Sequence, residues 1–69
     1  MTEIEYRNVE RGGIRTSYAA EIWVDGVYRG YLQKVKGHTD YQAYMDGRRV
    51  ASTWTLTECR ADIRYYLDE

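Results

Sequence analysis

A chain of 69 residues has room for one hydrophobic core, and at this size only about 60% of the unfolded surface is buried, which excludes a deep substrate pocket. Ten Lys and Arg against eleven Asp and Glu leave a net charge of −1, which weighs against nucleic-acid binding by bulk charge alone. The single cysteine excludes an internal disulfide and a stapled secreted scaffold, no apolar run is long enough for a membrane helix, and the start MTEIEYRN lacks a signal peptide's basic and apolar regions. The expectation is one soluble domain over 1–69 in the reducing cytoplasm of a bacterial or infected host cell.

In chain order, Ile4-Glu5-Tyr6 alternates as a first strand, with charges outward as at a sheet edge. Arg11-Gly12-Gly13 reads as a turn. Ile14 to Val24 is the longest strand candidate, with Ile14, Thr16, Tyr18, Ala20, Ile22 and Val24 inward and Arg15, Ser17, Ala19, Glu21 and Trp23 outward. Asp25-Gly26 begins the next turn. A two-residue loop would place Arg29 and Gln33 on the core side. A three-residue loop with a glycine bulge instead pairs Val24 with Tyr28, Ile22 with Gly30 and Ala20 with Leu32, and is expected because it keeps Tyr28 and Leu32 inside. Gly37-His38-Thr39 is a further turn.

Tyr41 to Leu67 carries the clearest pattern. Asp46-Gly47 between alternating segments signals a two-residue hairpin loop, because a type I′ turn needs positive φ at both positions. That loop sets Met45 opposite Arg48, Ala43 opposite Val50 and Tyr41 opposite Ser52, and puts Trp54 on the core side with them. Thr55 and Glu58 have capping-box spacing. Leu56, Cys59, Ile63 and Leu67, with Tyr66 beside them, form an apolar helical stripe, whereas Glu58, Asp62, Arg64 and Tyr65 face water. Trp54→Ala and Ile63→Ala are therefore both expected to unfold the domain or nearly so. The whole reads as an α+β domain, an antiparallel meander of four to five strands with one C-terminal helix on one face.

Chemistry is sparse. His38 stands near Asp40, but no nucleophile is placed beside them. One His and one buried Cys offer no metal-ligand spacing, and Gly12-Gly13 lacks the pattern of a phosphate loop. No enzyme activity, cofactor or metal is expected. The informative residues are those that alternation turns away from the helix: Trp23, Tyr31 and Tyr44, with Arg15, Arg29 and Arg49 among them. Eight Tyr, two Trp and no Phe suit a thin sheet with one face turned to solvent or a partner. Trp, Tyr and Arg are also the residue types that dominate interface energetics. Basic residues gather in the middle of the chain, at Arg29, Lys34, Lys36, Arg48 and Arg49, and acids near the ends.

Two resemblances follow from these elements. The strands followed by WTLTECRADIRYYL resemble the arm-type DNA-binding domains of phage integrases and their AP2-like relatives, which implies a sheet reading the major groove through Arg29, Tyr31 and Arg49. The size, element order and the run from Gly47 to Glu58 resemble small stand-alone phage and prophage proteins that inhibit host machinery, including some anti-CRISPR proteins. That likeness implies inhibition or modulation of a host protein, for example a defence complex, through partner-binding residues Trp23, Arg29, Tyr31, Tyr44 and Arg49. Binding to DNA is the alternative, and a homodimer through sheet edges or faces is the third reading.

Overall fold

A computed structural model describes residues 2–9 and 16–68. Over these the chain forms β1 (Ile4–Asn8), β2 (Thr16–Val24), β3 (Val27–Val35), β4 (Tyr41–Met45), β5 (Arg48–Thr53) and α1 (Leu56–Asp68). The strands make one antiparallel sheet in the order of the chain, β1 to β5, and α1 packs on one side of it against β4 and β5. This is the α+β meander expected from the sequence. The Arg11-Gly12-Gly13 turn, Ile14 and Arg15 lie outside the described residues.

Alternation along the strands fixes the two sides. Ile22, Leu32, Ala43, Met45 and Ala51 meet Cys59 and Ile63 of the helix in one buried cluster, with Ile4, Tyr6, Tyr18, Tyr41, Leu56, Tyr66 and Leu67 packed around it. The apolar helical stripe expected over Leu56 to Leu67 is thus the stripe that docks. Small side chains at Ala43, Ala51 and Cys59 let the helix approach the sheet closely. Gly30 has a comparable role between strands, since a Cβ there would drive into the backbone oxygen of Tyr44.

Both Asp-Gly pairs form two-residue reversals with positive φ at each position, 51° and 82° at Asp25 and Gly26, 53° and 78° at Asp46 and Gly47, as a type I′ turn requires. Each hairpin then contains a bulge that the alternation pattern alone conceals. In β2–β3 the pairs are Val24 with Val27, Trp23 with Tyr28, Ile22 with Gly30 and Ala20 with Leu32. The extra residue is therefore Arg29, inside the strand, and not one in the loop. Leu32 is buried as expected, but Tyr28 joins Trp23 on the side away from the helix and is 47% exposed.

In β4–β5 the first pair, Met45 with Arg48, is as expected. Val50 is then the extra residue, so Ala43 faces Ala51 and Tyr41 faces Thr53. A one-residue bulge inverts every side chain beyond it. Ala51 moves into the core, Ser52 moves out, and Trp54, expected inside, is 80% exposed. The helix begins where expected. The Glu58 amide donates to Thr55 Oγ1 at 3.2 Å, and that hydroxyl donates to Glu58 Oε1 at 2.9 Å. The Glu58 carboxylate takes the cap hydroxyl here, in place of the Thr55 amide of a full capping box.

Candidate binding face

The side of the sheet opposite α1 is built from the residues that alternate with the core. Ala20 and Ile22 are buried, so Glu21 and Trp23 point the other way; Gly30 and Leu32 are buried, so Tyr31 does; Ala43 and Met45 are buried, so Tyr44 does. Tyr31 and Tyr44 are direct cross-strand partners, and their rings stack with centroids 5.1 Å apart and planes 25° from parallel. Offset stacking of this kind adds about 0.5–1.5 kcal/mol beyond the area buried. The Tyr44 hydroxyl donates to Gln42 Oε1 at 3.1 Å. Gln42 in turn donates to Asp40 at 3.4 Å, and Ser52 donates to the same carboxylate oxygen at 2.7 Å. These bonds hold the Asp40 carboxyl below its ordinary pKa, with the Ser52 hydroxyl as the main cause.

Trp23 forms a second cluster. Arg7 of β1 lays its guanidinium over the indole at 3.9 Å, Tyr28 meets it edge-on with centroids 5.9 Å apart, and the indole N–H donates to Glu21 at 3.1 Å. Arg7 is held in turn by Glu5, Nε to Oε2 at 2.8 Å. That bond lowers the Glu5 carboxyl pKa and raises the guanidinium's. Arg29, the bulge residue, grips Asp46 with two nitrogens, at 3.4 and 2.9 Å. The Tyr66 hydroxyl of α1 donates to the same carboxylate at 2.8 Å. Arg29 first and Tyr66 second hold the Asp46 carboxyl below its ordinary range. Tyr28, Arg29, Tyr31, Tyr44 and Asp46 border an open concavity of about 310 Å³ between the β2–β3 and β4–β5 turns.

Of the five residues singled out by sequence, Trp23, Tyr31 and Tyr44 lie half-buried on this face. Arg49 is exposed opposite Tyr44, and Arg29 stands at its end, bound to Asp46. Sequence reasoning missed Tyr28, Arg7 and Asp46. The signal for Tyr28 was present, because Asp25-Gly26 has the same turn chemistry as Asp46-Gly47; a two-residue loop there puts Tyr28 opposite Trp23. Arg7 needed the β1–β2 register, which places Glu5 opposite Trp23 and which no short-range signal encodes.

Other reactive groups are engaged elsewhere. Cys59 is fully buried, and desolvation pushes its thiol up to about 11, so it stays protonated and a poor nucleophile at neutral pH. Asp40, the neighbour of exposed His38, is engaged by Ser52 and Gln42. Among the described residues no three His, Cys, Asp or Glu side chains are grouped as metal ligands. No helix among them is long and apolar enough to cross a membrane. Comparison with protein-family models, curated proteins and solved structures finds no match.

Proposed function

We propose that this chain is a non-enzymatic binding protein of the phage accessory type, which inhibits or modulates a host protein by docking the sheet face opposite its helix. The observation that supports this most is the pair of aromatic clusters on that face, Tyr31 on Tyr44 and Trp23 between Arg7 and Tyr28. Their rings are half-exposed yet held by neighbours within the same sheet. Anchors already fixed in one conformation lose little side-chain entropy on binding, and Trp, Tyr and Arg are the side chains that most often carry an interface. Small monomers seldom leave such a patch without a use.

The charges on this face favour a protein over DNA as partner. Arg7 is paired with Glu5 and Arg29 with Asp46, while Glu21 and Asp40 add acid among the rings. Apart from Arg49, a phosphate backbone would meet cations already engaged by carboxylates, and carboxylates that repel it. Affinity capture from host lysate should recover a protein that a Tyr31→Ala/Tyr44→Ala variant, folded by circular dichroism, fails to hold. Mobility shifts with phage and random DNA at two salt levels should show no tight complex. Absence of any captured protein, together with tight DNA binding that falls steeply with salt, would overturn the proposal in favour of groove recognition.

A further inference from the structure

An open sheet leaves one row of backbone groups unpaired along each outer strand. At β5 that row is broken, because Val50 bulges out of register, and Arg48 and Arg49 place a positive charge on each face of the strand. β1 differs: its five residues pair with β2 without a shift. The ladder continues beyond both ends, with the Asp25 amide donating to Glu3 O at 2.8 Å and the Val9 amide to Ala19 O at 3.1 Å. Odd-numbered residues therefore bond to β2. The N–H and C=O of Ile4, Tyr6 and Asn8 point the other way, as antiparallel alternation requires. Arg64 reaches the Thr2 carbonyl at 3.4 Å, which covers this edge only ahead of Ile4.

The side chains along the edge are self-complementary. Glu5 and Arg7 both stand exposed on the face opposite α1, two residues apart and opposite in sign. Suppose a second β1 runs antiparallel to the first about a two-fold axis at Tyr6. Tyr6 then faces Tyr6, and Ile4 faces Asn8, as hydrogen-bonded pairs that use the outward-pointing groups. The positions between are the non-hydrogen-bonded pairs, where side chains come closest, and they set Glu5 against Arg7 twice. An axis moved to Arg7 sets Arg7 against Arg7, and one moved to Glu5 sets Glu5 against Glu5 while pairing Glu3 with Arg7. Of these three registers, all of which use the free backbone groups, the one centred on Tyr6 contains no like-charge pair.

We infer that β1 is a self-association edge, to which a second copy of this chain adds antiparallel with Tyr6 at the two-fold axis. The two five-stranded sheets join edge to edge, with both aromatic faces on the same side. Main-chain bonds supply most of the attraction, as in strand addition generally, and the Glu5–Arg7 pairs choose the register. On the helix side Arg60 lies over the Tyr6 ring at 4.6 Å, so like charges of the two copies face each other there and confine the contact to the strand. Tyr31 and Tyr44 take no part, whereas Arg7 also packs on Trp23 of the docking face; sedimentation of the chain alone reads self-association without any partner.

Sedimentation across a concentration series up to millimolar tests it. The unmodified chain should self-associate, and amide exchange at Ile4, Tyr6 and Asn8 should slow as it does. Glu5→Arg or Arg7→Glu alone should weaken association by roughly tenfold or more, since two attractive pairs become two repulsive ones. Mixing the two single variants should restore it, because opposite charges then meet at both positions. Circular dichroism confirms folding of each variant. A monomer at every concentration, equal association of the single variants, or a mixture that stays monomeric would overturn the inference.

Discussion

The two sides of the sheet are made from the same strands and obey different rules. Toward the helix stand Ile22, Leu32, Ala43 and Met45, with no more than 1% of each exposed and their contribution set by the apolar area removed from water. On the other side stand Trp23, Tyr31 and Tyr44 with Arg7, Glu21 and Gln42, half-exposed and tied to one another through ring contacts and hydrogen bonds. The lesson is a division of labour by alternation. Residues one position apart in β3, such as Tyr31 and Leu32, serve recognition and stability respectively, so the two properties can be changed separately.

Ile63→Ala should have the largest effect on the covered side. It removes a fully buried side chain where helix and sheet meet, at a cost of about 2–5 kcal/mol. A domain of this length has only about 3–10 kcal/mol in total, so chemical denaturation should find it near or past unfolding. Thr55→Ala should cost about 1 kcal/mol through loss of the cap, read as a lowered thermal midpoint with the same folded spectrum. A smaller effect involves the tie between the sides at Asp46. Its folded pKa is depressed by Arg29 and Tyr66, so its contribution is fully present above the ordinary carboxylate pKa and lost as pH falls through the folded value. The melting temperature should drop below about pH 4, and Asp46→Asn, which tolerates the positive φ at that turn, should make the drop shallower. Trp54→Ala should be nearly silent, within about 0.5 kcal/mol, because the ring is 80% exposed. A large loss there would place Trp54 in the core and undo the β4–β5 register.

The covered side was the more legible of the two in the sequence. The apolar stripe from Leu56 to Leu67, the Thr55 cap and the Asp46-Gly47 turn are short-range signals, each readable within a few residues. Leu32 was placed correctly because one extra residue anywhere between Val24 and Leu32 puts it inside. Tyr28, Ser52 and Trp54 were misplaced for one reason. Their sides depend on where an extra residue sits within a hairpin, at Arg29 and at Val50, and tertiary packing decides that. Past the bulge Ala51 lies in the core with Ala43, and Val50 itself packs against the same cluster. The Arg7–Trp23 contact depends on pairing between strands well separated in the chain, so neither residue announces it.

Paramagnetic relaxation of the aromatic side chains by a soluble probe, measured before and after adding the captured host protein, tests the separation of faces most directly. The free chain should show strong relaxation at Tyr28, Tyr31 and Tyr44 as well as at Trp54 and Tyr65. With partner bound, the three sheet tyrosines should be shielded while Tyr65 of α1 keeps its relaxation. Shielding of Tyr65 with the sheet rings unchanged would place recognition on the helix side and contradict the account.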